Sequence, residues 1–381
     1  MARTRVETNI SYDDVKKLYY VTFDYGKDEN GKRNKPTKTF ISKSEAKKAL
    51  KEFEANRTKG TLVMPKKTTL QEWLTYWMEN VIKPTREETT IYGYQKIIDN
   101  HIVPELGNIP VQELKAQQIQ RYYANMAKEK GLSPNTIRKH HDLLNSALKL
   151  AVKQEVIMNN PLDKVETPKL KETDIGFYSP EQLNELLEAV KGDRLEAIVY
   201  LGGMAGLRRE EICGLKWSNI DFDKKIIHVV QVRTAAGKNE VVKDPKSKSS
   251  KRDISIPDSM LNVLKKEKAK QEENKEYLGA GYIGGDLIAV HEDGKPYRPN
   301  YLSEIFTRFI KTNNFSYITL HGLRHSFASA ANAAGVSLFD ISKTLGHSNT
   351  AITGKIYTHV TDKAHEETMQ KVADCVLKTV K

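Results

Sequence analysis

Residues 205–211 read Ala205-Gly206-Leu207-Arg208-Arg209-Glu210-Glu211, a small-residue turn running directly into two guanidinium groups and two carboxylates. Three later segments concentrate similar chemistry. They are 245–252, with Lys246, Lys248 and Lys251; His321-Gly322-Leu323-Arg324-His325; and Leu345-Gly346-His347, with Tyr357 ten residues further on. Breaking a phosphodiester without a metal requires a nucleophile, cations over the non-bridging oxygens, and groups that give and take protons. A guanidinium fork matches two phosphate oxygens and stays charged at every relevant pH. Arg208 and Arg324 are therefore candidates for a phosphate clamp. The Tyr357 hydroxyl, with an ordinary pKa near ~10, attacks only with help from a base or a cationic field, which His321, His347 or the arginines supply.

Each segment alone has a plainer reading. A single histidine near a helix end is usually a satisfied structural group. A lysine-rich turn is usually solvated, a lone arginine is usually a surface ion-pair partner, and one tyrosine out of 17 is usually core or surface. All of the segments in order within one region outweigh these separate readings. Cys213, just after the arginine segment, is expected on an inward helix face as a small apolar residue.

Around these segments the chain divides by pattern. An apolar β-rich run at 18–23, a turn over Asp28-Glu29-Asn30-Gly31 and a returning run at 38–41 predict a hairpin. Ala46, Leu50 and Phe53 then share a helix face behind Ser42 and Ser44, either of which can cap it. Leu70, Trp73, Leu74, Trp77 and Met78 open a helical stretch, with Trp73 and Trp77 expected to pin its core. Further helices are expected over 88–102, 117–130 and 133–156, separated by Pro104, Gly107, Pro110, Gly131 and Pro134. A polar segment with Pro168, Lys169, Lys171 and Gly176 reads as a linker. Helices resume from Ser179-Pro180-Glu181, interrupted by a β-branched run at 225–232, a strand at 253–257 with the lysine turn between them, and an apolar segment at 286–290.

Composition sets limits on function. A chain of 381 residues exceeds ordinary single-domain size, and its net charge of +12 favours an anionic partner. Residues 1–66 hold 16 Lys/Arg and 9 Asp/Glu, a basic module of its own. There Lys35, Lys38, Lys43, Lys47 and Lys48 either contact phosphates or are simply solvated. Two distant cysteines, Cys213 and Cys375, exclude a disulfide framework and a zinc-type spacing, so no metal and no cofactor are expected. Neither a signal-type apolar segment nor a run of about 18 apolar residues occurs, so a cytoplasmic protein without a membrane partner is expected.

Gly206-Leu207-Arg208, Pro245-Lys246-Ser247, His321-Gly322-Leu323-Arg324, Leu345-Gly346-His347 and Tyr357 resemble, in order and spacing, the Arg, Lys, His-x-x-Arg, His and Tyr boxes of the tyrosine recombinase (phage integrase) family. The resemblance covers the whole chain and is greatest to integrases of conjugative transposons and temperate phages. It implies a multidomain chain, mainly α with small β-sheets. An α+β arm-site-binding domain would occupy 1–65, a helical core-binding domain 66–165, a linker 166–176, and a mixed α/β catalytic domain 177–381.

The resemblance further implies that Tyr357 attacks the scissile phosphate to give a 3′-phosphotyrosine, which a 5′-hydroxyl of the partner duplex then resolves without ATP. Arg208 and Arg324 would hold the transition-state charge, and His321 and His347 would assist proton transfer. Lys246 would protonate the leaving oxygen, with Lys248 the alternative. Arg209 is the fallback for Arg208, and Glu211 is expected to buttress Arg208. Double-stranded DNA at core and arm sites would be the substrate, with a homotetramer at synapsis and an excision factor and a host DNA-bending protein as accessory candidates. Met369, Val372, Ala373, Val376 and Val380 keep one-face spacing, for docking on a neighbouring protomer or on the chain's own last domain. The basic arm-like module argues against a type IB topoisomerase, and the presence of Arg208, His321, Arg324, His347 and Tyr357 together argues against a non-catalytic DNA-binding regulator. Phage and conjugative-transposon origins stay undecided.

Overall fold

A computed structural model describes residues 3–26, 33–58, 68–170, 176–245 and 250–346. The chain falls into two compact units, Met1–Glu172 and Thr173–Lys381.

The first unit begins with four antiparallel strands in sequential order, β1 (Thr4–Glu7), β2 (Ile10–Asp13), β3 (Leu18–Thr22) and β4 (Thr37–Phe40). Strand β3 pairs with β4 in the register Tyr19↔Phe40 to Thr22↔Thr37, as the hairpin reading expects. The predicted turn at Asp28–Gly31 lies outside the described residues. The β1–β2 hairpin was not anticipated, because Thr4-Arg5-Val6-Glu7 offers one apolar residue in four. Helix α1 (Lys43–Thr58) covers the sheet with Ala46, Leu50 and Phe53 buried against Ile10, Val21 and Phe23. Ser42 Oγ accepts from Ser44 N at 3.2 Å at its start. Of the five basic-module lysines, Lys35 lies 3.3 Å from Asp24 and Lys47 pairs with Glu7.

The second core of this unit is helical. Helix α2 (Leu70–Trp77) starts from a reciprocal cap in which Glu72 N donates to Thr69 Oγ1 and Thr69 N to Glu72 Oε2. Trp73 and Trp77 are buried as expected; the Trp73 Nε1 donates to Ala147 O at 3.0 Å and Trp77 stacks on Tyr94. The chain continues through a π turn (Met78–Ile82), α3 (Lys83–Thr85), α4 (Glu88–Ile97), a second π turn (Ile98–Ile102) and α5 (Val103–Leu106). Pro104 therefore does not separate helices. Pro84 and Pro104 each stand two residues beyond a π turn, whose wider spacing accommodates a ring that lacks an N–H and crowds the preceding turn. Helices α6 (Ala116–Lys128) and α7 (Pro134–Lys153), the latter capped by Ser133, complete the core.

Between α6 and α7, Tyr122 Oη bonds to His140 Nδ1 at 2.8 Å and Tyr123 Oη to His141 Nδ1 at 3.1 Å. His140 is fully buried, and its Nε2 finds no hydrogen-bond partner.

The second unit opens with α8 (Pro180–Ala189), α9 (Glu196–Gly203) and α10 (Arg209–Gly214). Strands β5 (Ile220–Asp221) and β6 (Ile226–Val229) follow, then β7 (Val232–Ala236), β8 (Asn239–Lys243) and β9 (Arg252–Ser255). The run expected as one strand over 225–232 is split. Strand β6 pairs antiparallel with β5 and β9, whereas β7 and β8 make a separate hairpin inserted ahead of the lysine turn. A buried Arg233 fastens that hairpin, donating to Tyr297 O at 2.8 Å and to Glu240 Oε2 at 2.5 Å. Long α11 (Asp258–Leu278), then α12 (Pro299–Thr312), α13 (Leu320–Ala333) and α14 (Leu338–Leu345) complete the described elements. Their core joins Leu201, Ile212, Ile227, Ile254, Leu264, Phe306 and Leu323. Among the described residues no helix is long and apolar enough to cross a membrane.

Burial, and then neighbouring His101, pushes the His140 imidazole down to about 4 from an ordinary 6.5. The unfolded chain therefore takes up a proton below about 6.5 that the folded chain refuses until about 4. Stability should decline as pH falls through that window, by on the order of 3 kcal/mol for this group. Urea unfolding followed by tryptophan fluorescence between pH 7 and 4.5 should show this slope, and it should flatten in His140→Phe.

Candidate active site

The centre of the second unit is one carboxylate. Glu211 lies in the first turn of α10, its side chain 1 % exposed. Its Oε2 accepts from the backbone N of Arg208 at 2.8 Å, and its Oε1 from Arg208 Nη1 at 2.8 Å. Arg252, the first residue of β9, adds a fork, Nη1 to Oε1 at 2.9 Å and Nη2 to Oε2 at 3.0 Å. Arg324 of α13 approaches Oε2 to 4.0 Å. Burial alone would raise the Glu211 pKa, but hydrogen bonds and charge from Arg252, followed by Arg208, hold it below the ordinary carboxylate value. The expected buttressing of Arg208 by Glu211 is present.

The same three guanidiniums bind three successive carbonyls at the end of α14. Arg252 Nε donates to Thr344 O at 2.5 Å, Arg324 Nη2 to Leu345 O at 2.5 Å and Arg208 Nη2 to Gly346 O at 3.3 Å. Helix ends leave such carbonyls without intrahelical donors, and cations are favoured there. Gly346 terminates the helix in the left-handed region, φ 65°.

Gly206 closes the arrangement from the other side. Its φ of +65° turns the chain from α9 towards α10, and its carbonyl accepts from Arg324 Nη1 at 2.8 Å. A Cβ here would lie 2.7 Å from Leu345 Cδ2 and 2.8 Å from Phe327 Cδ1. Thus the Gly-Leu-Arg spacing works as a turn that lets α14 approach while placing Arg208 at the N-cap of α10.

The two adjacent arginines separate cleanly. Arg208 is half-buried beside Glu211, whereas Arg209 pairs with Glu210 at 2.9 Å and reaches Ser303 Oγ at 3.1 Å on α12. His321 lies exposed on α13, its ring 4.7 Å from that of His325 at 86°. Partial burial, then the charges of Arg324 and Arg208, lower its pKa, favouring the neutral ring that a proton acceptor requires. The buried His325 is pushed down to about 4 by burial, then by His321 and Arg324, and its Nε2 has no hydrogen-bond partner.

Arg208, His321 and Arg324 are therefore brought together from α10 and α13. Lys246, Lys248, His347 and Tyr357 lie outside the described residues, as do Met369, Val372, Ala373, Val376 and Val380. Lys251, the third lysine of that turn, pairs with Asp244 at 2.7 Å. Cys213 is fully buried, and burial pushes its thiol up to about 12, in keeping with a core role. Among the described residues no cluster of three or more His, Cys, Asp or Glu could hold a metal.

Arg252 and His325 lie within the segments singled out in the sequence, but neither is given a role there. For Arg252 a signal was available. Alternation along β9 puts it on the same face as the buried Ile254.

Comparison with known proteins places three matches along the chain. Residues 177–364 match the phage integrase family, 69–127 a phage integrase N-terminal SAM-like domain, and 9–56 an arm DNA-binding domain. The chain is 31 % identical to a tyrosine recombinase XerC-like protein of Caldanaerobacter subterraneus subsp. tengcongensis, over 94 % of this chain and 96 % of that protein. It shares a fold with the Tn1549 transposon integrase in complex with circular intermediate DNA (TM-score 0.68, 22 % identity, 80 % of this chain and 99 % of that one). It likewise shares a fold with a lambda integrase tetramer bound to a Holliday junction (TM-score 0.58, 17 % identity, 93 % of this chain and 96 % of that one).

Replacing Gly206 by Ala should cost about 1–3 kcal/mol, since the new methyl combines a disfavoured φ with crowding against the side chains of Leu345 and Phe327. The thermal unfolding midpoint should fall accordingly; an unchanged midpoint would mean that α14 gives way at no cost.

Proposed function

The chain belongs to the phage integrase family of tyrosine recombinases, enzymes that cleave and rejoin DNA, and on that premise we propose that Arg208, Lys246, His321, Arg324, His347 and Tyr357 form its catalytic set. The observation that carries this reading is the convergence of Arg208 and Arg324 on one buried carboxylate beside His321. Two guanidiniums held by backbone carbonyls and one carboxylate, Arg208 with 28 % and Arg324 with 1 % of its side chain exposed, would supply positive charge for the non-bridging oxygens of a phosphodiester.

In the proposed first step the Tyr357 phenolic oxygen attacks phosphorus, its proton passing to His321 or His347. The bond from phosphorus to the 5′-oxygen breaks, and Lys246, with Lys248 as the alternative, protonates that oxygen. The products are a 3′-phosphotyrosine and a free 5′-hydroxyl. A 5′-hydroxyl from the partner duplex then attacks the phosphotyrosine and releases Tyr357, so the phosphodiester energy is conserved and neither ATP nor a metal is consumed. Arg208 and Arg324 stabilise the charge that develops in both steps.

The proposed division follows the sequence: arm-site binding by 1–65, core-site binding by 66–165, a linker over 166–176 and catalysis by 177–381. Distinct apolar cores and the separate family matches support it. The partner is double-stranded DNA at core and arm sites, in the cytoplasm, with integration and excision of a mobile element as the outcome. The fold shared with a tetramer on a Holliday junction supports a homotetramer at synapsis. An excision factor and a host DNA-bending protein are further proposed partners, and the net charge of +12 predicts binding that weakens steeply with salt.

The test is a denaturing gel of the full chain with nicked duplex spanning the joined ends of its element, chelator present. A covalent protein–DNA band should form and be absent in Tyr357→Phe, which should still bind DNA; a band retained in that variant moves the nucleophile elsewhere. In the same assay Lys246→Ala should lose more cleavage than Lys248→Ala, by about 10²-fold for a lost general acid. The reverse ranking would reassign the proton donor.

A further inference from the structure

Glu211 poses an electrostatic problem for the site. A buried carboxylate beside Arg208 forms a neutral pair with it, and a neutral pair has little attraction left for a phosphate. Among the described residues the guanidiniums of Arg208 and Arg252 both bind this one carboxylate, which leaves one positive charge over, provided the second is a fixed part of the structure.

Arg252 meets that requirement. Its side chain is 7 % exposed, against 28 % for Arg208. Its fork spans both Glu211 oxygens, its Nε serves Thr344 O, and its Nη1 also reaches Ser250 O at 3.2 Å. Little of Arg252 is left to face DNA. With two donors from Arg252 and two from Arg208, Glu211 receives four hydrogen bonds, about the capacity of a carboxylate. The Arg252 fork touches both oxygens, whereas the Arg208 guanidinium touches one, gives Nη2 to Gly346 O and stays 28 % exposed.

We propose that Arg252 is a positioning residue for strand cleavage, a buried counter-charge that neutralises Glu211 and so leaves Arg208 with its positive charge available to the scissile phosphate. The proposal rests on the assignment of Arg208 to the phosphate. It explains why a residue on a strand beside the lysine turn is buried against a carboxylate at all. An Arg–Glu pair serving stability alone would be replaceable by apolar side chains at little cost, whereas a counter-charge is not. It also separates the roles of two forks on one carboxylate: Glu211 orients Arg208, and Arg252 cancels the charge that this orientation introduces.

The experiment measures single-turnover formation of the covalent adduct by the full chain on nicked duplex spanning the joined ends of its element, at saturating DNA. Arg252→Met should slow adduct formation on the order of 100-fold, the scale of losing one preorganised charge contact. Arg252→Met combined with Glu211→Gln should then recover at least about 10-fold over Arg252→Met, because the uncompensated carboxylate is gone. Further loss in the double variant overturns the proposal, and so does a rate that falls and recovers only in step with the thermal unfolding midpoint of the same variants, which is what a purely structural Arg252 predicts. So does an Arg252→Met rate within about threefold of the parent, which no lost charge contact would leave. Should Arg252→Met fail to fold, Arg252→Lys and Arg252→Gln provide the comparison. The charged variant should retain at least about tenfold more activity than the neutral one, and equal rates would overturn the inference. Arg208→Ala is the control for the underlying assignment: if it still forms adduct at the parental rate, the phosphate role of Arg208 fails, independently of what the Arg252 variants show.

Discussion

The second unit is organised around the Glu211 carboxylate. A single negative charge, almost wholly removed from water, ties the start of α10, the start of β9 and the middle of α13 to one point. Burying a charge is tolerable only when its lone pairs are filled and its field is matched, and here both conditions are met by arginines. Each of those arginines also holds one of the successive carbonyls of Thr344, Leu345 and Gly346. The helix end that precedes His347 in the chain is thereby fixed by the same groups that fix the carboxylate. Removing any one of the arginines takes a donor from one carbonyl and a positive charge from beside Glu211, so the cluster is held as a unit.

The backbone around the cluster is shaped to permit this. Gly206 supplies a turn that no side chain could occupy without meeting Leu345 or Phe327, and its carbonyl is one more acceptor for Arg324. His321 and His325 stand edge to face on α13 with lowered basicity, which keeps two imidazoles neutral close to several positive charges. Family membership supplies the class of reaction, while the geometry supplies an account of how cations can sit together without unfolding the site.

Much of this was legible in the sequence where the pattern is strong. The 3.6-residue spacing of Leu70, Trp73, Leu74 and Trp77 identified a buried helix face, and all four side chains are buried. The Gly-Leu-Arg and His-x-x-Arg segments identified Arg208, His321 and Arg324, which the fold brings to one place. Weakly apolar hairpins were harder to see: β1 has no alternating face, and β7 ends in Thr234-Ala235-Ala236, whose small side chains hardly register as a strand. Pro104 was read as a helix breaker because a local rule took no account of a widened turn upstream. Arg252 was lost among lysines that composition marks as solvated, since its burial depends on Glu211, forty-one residues away in the chain. That kind of pairing is a tertiary fact with only a faint local trace.

The two π turns ahead of Pro84 and Pro104 have a further consequence, in the phase of the helical path. A π turn holds one residue more than the α-helix around it, so each acts as a single-residue insertion absorbed without breaking the rod. Each α-helical residue advances the side-chain direction by about 100°. Deleting one residue from 98–102 would therefore restore an ordinary helix and keep the phase beyond it, leaving Leu106 on the face it now buries, while removing the wider spacing that accommodates Pro104. Length and proline are thus linked: a chain one residue shorter there should tolerate an ordinary residue at 104 better than the proline, whose ring needs the widened turn.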